Sequence, residues 1–506
     1  MRALAGRRTA VVDLAGGLLV PGFQDAHVHP VQGGMERLSC DLSPYDNQAA
    51  YVAAIASYAR AHPHDEWILG GGWMLSAFPG GLPHRDALDA VVADRPVFLP
   101  NRDHHGAWVN SAALQRAGIS AGAPDPRDGR IERDGAGEPT GMLHEGAMGL
   151  VGAVLPQTTR EREIEGLLEA QRYLHSLGIT AWQDALLGSY SNLTDASAAY
   201  QSCLESGELT ARVVGALWWD RNRGAEQIDE LVERRARHSN EGFRATSVKI
   251  MQDGVAENFT AGMTTPYLDA SGAPTDNSGL SMVDPMRLGD YVTSLDALGF
   301  QVHVHAIGDR AVREALNAFE AAHRVNGASA NRHHIAHVQV IHPVDVPRFA
   351  ELGVTATMQP LWAVHEEQMD ELTLPFLGPE RGAWQYPFAS LLRAGARLAA
   401  GSDWPVTSPD PLAGIHVAVN RRAPTAWGDV RRPFLADQAL DVESALTAYT
   451  AGSAYVNSLD DAGRIQVGAL ADLAVLDRDI VAAPPSQIRE AQVVATYVGG
   501  REVFSR

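Results

Sequence analysis

The sequence predicts an α/β protein: a distorted (β/α)8 TIM barrel with a long insertion after strand 1 and a small flanking β-sandwich built from the two chain ends. Three observations predict it. Eight short β-rich runs recur along the chain: Gly22–His29, Gly178–Ala185, Thr210–Trp219, Ala245–Gly254, Phe300–Asp309, Arg332–Ile341, Gly353–Pro360 and Arg397–Pro405. Between them lie stretches such as EREIEGLLEAQRYLHSLG, AEQIDELVERRARH and RAVREALNAFEAAHRV, with apolar residues at i, i+3, i+4 and i+7 and charges on the opposite face. Gly178, Gly299 and Gly353 stand where a helix ends and a strand begins, as C-cap glycines do. Strands alternating with amphipathic helices favour a parallel sheet, and eight of them favour its closure.

The barrel is expected to span residues 22–459, interrupted at about 35–156 by a Gly-, Pro- and His-rich insertion, long enough to carry structure and function of its own. Residues 1–21 and 460–506 form the small β unit, because GRIQVGALADLAVLDRD and AQVVATYVGGREVF read as short strands joined by glycine turns, which TAVVDLAGGLLVPG joins. The 506 residues carry 41 Lys+Arg against 61 Asp+Glu, a net charge of −20. This acidic balance argues against a nucleic-acid or anionic-membrane partner. No window nears the roughly 18 uninterrupted apolar residues of a membrane span. The start of the chain imitates a signal peptide, but Asp13 breaks its apolar run and no small-x-small site follows, so a cytoplasmic location is expected. Two cysteines, Cys40 and Cys203, fit a reducing compartment and are expected as buried apolar residues. The oligomeric state stays open, a homo-oligomer included.

The chemistry gathers at strand ends. His27 and His29 stand two apart at the end of the first strand and point to one face. The C-terminal rim is where barrel enzymes hold their active sites. His305, His337 and Asp403 occupy the corresponding places on the fifth, sixth and eighth strands, and Lys249 lies within the fourth. Imidazole and carboxylate together suit zinc and related divalent ions. Lys249 could be a paired buried lysine, a perturbed catalytic lysine, or a ligand after carboxylation. Asp25, one pleat deeper, could orient a ligand or be a satisfied buried acid. His303 reads as a core or supporting histidine, and His333 and His334 lie too far from the mouth for chemistry.

The segments VPGFQDAHVHP, HHGAWVNSAAL, GEPTGMLHE, VKIMQDGVAENFTAGM, VHVHAIGDRAV, HVQVIHP, GSDWPVTSPDPLAGI and GALADLAVLD resemble, in order, the amidohydrolase superfamily, and within it the YtcJ-like branch that includes N-substituted formamide deformylases. The resemblance implies that His27, His29 and Asp403 hold a first metal and that His305 and His337 hold a second. Lys249, if carboxylated, bridges them; one or two ions are kept in such proteins, zinc foremost. Members of the family carry several small-domain strands ahead of their VPGF equivalent; here either the chain start is truncated or mis-assigned, or the sandwich is reduced.

A metal lowers the pKa of bound water to about 7. Asp403 would then take the water's proton as it attacks a carbonyl and pass that proton to the departing amine. His105, in the insertion, is expected to touch substrate or oxyanion, with His104 a weaker candidate. Trp73, Phe259, Trp362 and Trp404 are expected to wall an apolar pocket, and Glu145 and Asp184 are either polar pocket groups or buried satisfied carboxyls. The expected function is metal-dependent hydrolysis of a non-peptide C–N bond in a small amide, an N-substituted formamide in first place. The alternatives are a cyclic amide or N-acyl amino acid hydrolase and, in another class, a barrel that binds a small molecule without turnover.

Overall fold

The computed structural model describes residues 6, 9, 11–189, 194–424 and 428–506. Eight parallel strands form the central sheet: β1 Phe23–Val28, β2 Ile179–Leu187, β3 Arg212–Trp218, β4 Phe243–Met251, β5 Gln301–Ala306, β6 His334–His337, β7 Thr355–Met358 and β8 Leu398–Ala400. They lie in sequence order from β1 to β8. The ring is closed beyond the ladder by Asp403 N donating to His27 O at 2.8 Å and His29 N donating to Trp404 O at 2.9 Å. The expected (β/α)8 architecture is therefore present, distorted where β1 meets β8.

Local chemistry explains the alternation. The helix Arg160–Ser176 starts where the Thr159 hydroxyl accepts from the Arg162 amide, and Pro285–Ala297 starts at Asp284, whose carboxylate accepts from two amides. Asp309–Asn326 buries Ala311, Val312, Ala315, Leu316 and Phe319, the stripe that its 3.6-residue period places on the barrel. Gly178, Gly299 and Gly353 follow helices at φ of 82°, 77° and 66°, a region other residues enter at a cost. Strands β5, β6 and β7 are buried throughout, as strands covered on both faces must be.

The insertion carries a six-stranded mixed sheet, ordered Cys40–Asp41, Ile68–Gly71, Val97–Pro100, Gly106–Val109, Pro139–Glu145, Gly129–Arg133. One face packs around Trp73, Phe78 and Trp108 and the other around Phe98, Leu143 and Met148. The chain ends build a separate four-stranded antiparallel sheet from Leu18–Pro21, Leu473–Leu476, Val493–Val498 and Arg501–Ser505. It is tied to the barrel by the Arg212–Asp472 ion pair at 2.7 Å and by the Thr496 hydroxyl donating to His175 O at 2.7 Å. Cys40 and Cys203 are free and buried. Among the described residues no helix is long and apolar enough to cross a membrane.

Candidate metal centre

The site is assembled from strand ends. Between the Asp25–Trp182 and Val28–Asp184 pairs, Ala26 and His27 of β1 oppose the single residue Gln183 of β2, a bulge at the position of His27. His27 Nε2 and His29 Nε2 both reach Asp403 Oδ1, at 3.0 and 3.1 Å. Beneath them Asp25 Oδ1 accepts from the amides of His27 and Ser402, each at 3.0 Å, so one buried carboxyl fixes both sides of the barrel seam. Asp403 follows β8 at φ 58°, and His337 ends β6 at φ 78°. Left-handed backbone at non-glycine residues costs about 1–3 kcal/mol and persists where surrounding structure enforces it. The sixth strand was expected to run to Ile341; it stops at His337 because this residue and Val338 both leave the extended region.

His337 lies with its ring 4.8 Å from that of His27 and 4.3 Å from that of His305, and Trp362 stacks on it at 5.2 Å with an interplanar angle of 2°. Its Nδ1 is 3.8 Å from Asp403 Oδ2, too far for a hydrogen bond. His27, His337 and Asp403 offer ligand atoms that all lie within 4.8 Å of one another. Burial lowers His27 to about 3, with Lys249 adding to the effect, and holds His337 well below the imidazole range. Burial alone would raise Asp403, but His27, then His29 and His337, keep it ionised far below the carboxylate range.

These residues fit a divalent cation. Both ring nitrogens of His337 and Nδ1 of His29 are buried without a hydrogen-bond partner. Leaving such a group unpaired costs about 1–3 kcal/mol, and a cation held between neutral imidazoles and a carboxylate removes that cost. His305 reaches the same cavity but stands outside the tight group. Its Nε2 is 3.2 Å from Gly254 O and 3.4 Å from Asp253 Oδ1, so that nitrogen faces the segment that follows β4. Lys249 lines the cavity, makes no side-chain hydrogen bond among the described residues, and is pushed by burial down to about 8.

The insertion closes the cavity from above. His105 Nδ1 lies 3.0 Å from each oxygen of Glu145, whose Oε1 also accepts from the Thr260 hydroxyl at 2.8 Å. Burial opposes charge on His105, but Glu145 outweighs it and raises the imidazole to about 9. His104 instead bonds Arg102 O and Glu36, at 3.1 and 2.8 Å. Asp184 accepts from the Tyr200 hydroxyl at 2.7 Å and is a buried satisfied carboxyl. The cavity, about 350 Å³, is walled by Leu69, Phe98 and Met148 from the insertion and Leu186, Met251 and Ile307 from the barrel.

Of the four aromatic residues expected on its wall, Trp362 is there. Trp404 lines an adjoining chamber of about 520 Å³ instead, packed so closely over Gly33 that a Cβ there would come within 2.7 Å of its ring. Trp73 is not a wall residue. It is fully buried in the insertion's own core, with Nε1 donating to Leu99 O at 2.7 Å. Phe259 is displaced too, set edge-on against Tyr267 and Phe376 outside the cavity. Both lie in segments whose strand parity the sequence does not define.

The model of the amidohydrolase family designated Amidohydro_3 matches residues 10–504. The chain belongs to the amidohydrolase family. Within the family it resembles the putative amidohydrolase YtcJ of Bacillus subtilis (strain 168), at 30% identity over 98% of this chain and 91% of that protein. It also resembles the N-substituted formamide deformylase of Arthrobacter pascens, at 27% identity over 99% and 91%. An uncharacterized metal-dependent hydrolase from Pyrococcus furiosus has the same fold, with a TM-score of 0.69, 27% identity and coverage of 93% and 89%. These likenesses place this amidohydrolase in the YtcJ-like branch. Sequence reading missed Asp253, which accepts from the amides of Gly262, Ile307 and Gly308 beside His305. It follows β4 as the penultimate residue of SVKIMQDG, a carboxylate at a strand end, and that was the available signal.

Proposed function

We propose that this amidohydrolase is a divalent-metal hydrolase that cleaves a non-peptide C–N bond, the amide of a small molecule with a mainly apolar substituent. The observation that carries the reading is the meeting of His27, His29, His337 and Asp403 with imidazole nitrogens left unpartnered in a buried site. An N-substituted formamide fits best: its formyl carbon needs little room, and the apolar walls receive the nitrogen substituent. The resemblance to a formamide deformylase supports this.

A bound divalent ion, zinc by its donor set and one or two per chain, supplies Lewis acidity for water and carbonyl. His27, His29 and Asp403 would hold the first, and His305 and His337 the second. Lys249, which lines the same cavity, would add a carboxylate donor to the set if carbon dioxide adds to its neutral Nζ with loss of a proton. Asp403 Oδ1 faces His27 and His29, so Oδ2 takes the proton of the attacking water. As the C–N bond breaks, the same oxygen returns that proton to the departing nitrogen, leaving a carboxylic acid and an amine. His105, its Nδ1–H held by Glu145, offers Nε2–H to the carbonyl oxygen as negative charge develops there.

Elemental analysis of purified protein, with turnover of a panel of N-substituted formamides, N-acyl amino acids and cyclic amides, tests the reading. Asp403→Asn should lower kcat by a factor of about 10²–10⁴. Absence of metal together with chelator-insensitive turnover defeats the assignment, and binding without turnover of any amide would leave a non-catalytic barrel.

A further inference from the structure

Below the rim the barrel interior holds a chain of amides and imidazoles where branched apolar residues are usual. Gln183, Gln301, His303 and His334 are buried, all but Gln301 without any exposure. Gln301 Nε2 donates to the backbone carbonyls of Arg332 at 2.9 Å and Val456 at 2.8 Å. A carbonyl only accepts, so the amide of Gln301 is oriented at this end and its Oε1 faces inward. That oxygen accepts from Gln183 Nε2 at 2.9 Å. Gln183 Oε1 therefore faces His303 Nδ1 at 2.8 Å and His334 Nε2 at 3.1 Å. An amide oxygen also only accepts, so a neutral His303 carries its one proton on Nδ1 and leaves Nε2 bare. The bare nitrogen lies 2.8 Å from His27 Nδ1, which must then be the N–H donor. The lone pair of His27 is left on Nε2, the atom 3.0 Å from Asp403 Oδ1. Two electron-rich atoms at that distance repel unless a cation or a proton lies with them.

We infer that Gln301 and Gln183 are positioning residues of the metal centre, fixing through His303 the Nδ1–H tautomer of His27 so that its Nε2 lone pair is presented to a divalent ion. The inference rests on the metal-centre reading above and adds to it the device that prepares one ligand before metal arrives. Partners of this outer kind commonly change metal affinity by about 10–100-fold. Gln183→Leu removes the acceptor for His303. Gln183→Glu, protonated in its buried setting, keeps an oxygen toward His303 and an O–H toward Gln301.

The test is zinc affinity by competition with a chromogenic chelator on the full chain, with ¹⁵N NMR of labelled imidazoles in metal-free and zinc-loaded wild type. Gln183→Leu should bind zinc about 10–100-fold more weakly, Gln183→Glu should stay near wild type, and His27 Nδ1 should carry its proton in both wild-type samples. Equal zinc affinity in folded Gln183→Leu and wild type overturns the relay, as does a wild-type His27 with bare Nδ1. The wild-type NMR result decides even if Gln183→Leu does not fold. A wild type that takes up no zinc instead overturns the metal-centre reading, and this inference with it.

Discussion

Replacing Glu145 with glutamine probes how the insertion holds a charge over the candidate metal centre. Glu145 is enclosed, with both oxygens 3.0 Å from His105 Nδ1. Burial pulls His105 toward neutrality, and Glu145, aided by Asp103 and Asp403, more than reverses this and brings it to about 9. A histidine in the unfolded chain titrates near about 6.5. The folded value is the higher one, so the stabilisation from this pair is fully present below about pH 6.5 and is lost as pH rises through about 9. A gap of about 2.5 pH units at about 1.36 kcal/mol per unit amounts to about 3 kcal/mol. The glutamine would keep the shape and a hydrogen bond while removing the charge. The variant should therefore be less stable than wild type by up to about 3 kcal/mol near pH 6, with the difference vanishing above about pH 9. Urea unfolding of metal-free wild type and Glu145→Gln across that range measures it. Lys249, lowered by burial to about 8, titrates within the window in both proteins and cancels in the comparison. Parallel stability curves from about pH 6 to 9 would refute the ion-pair reasoning.

Chelation of purified protein should lower its thermal midpoint: zinc at 100 times its Kd contributes about 2.7 kcal/mol. For a chain of this size, at about 2.1 cal/mol/K of unfolding entropy per residue, that is about 2–3 °C. A calorimetric midpoint that does not move when zinc is returned counts against a bound cation. Trp73→Ala should cost about 3–5 kcal/mol of stability, read by denaturant unfolding, and leave KM of the folded variant nearly unchanged. A raised KM without lost stability would return Trp73 to the cavity wall.

The rim was legible because a strand's side chains alternate with a period of two. That rule puts His27 and His29 on one face, and the same logic at β5, β6 and β8 brought His305, His337 and Asp403 toward one cavity. It could not give the final geometry. His305 turns toward Gly254, and His337 leaves the extended region, through backbone angles that residue spacing does not encode. The insertion was less readable, since its strands run from two to seven residues and the shorter ones give alternation no room to declare a face. A tryptophan in such a segment has no defined side, and Trp73 went to the local core. Gln183 gave no signal either: its partner Gln301 lies 118 residues away, and only the closed ring makes them neighbours.

The two sources of the cavity have a consequence for how such a protein can change. The side chains proposed to hold the ion sit at the ends of barrel strands, whereas Leu69, Phe98 and Met148 belong to a separately cored body laid across the opening. Substitutions at these apolar wall positions can retailor which molecules are admitted while His105 and Glu145 of the same body, and the strand-end side chains beneath, stay in place. New specificities are therefore reachable by redecorating the roof, with the hearth left as it was.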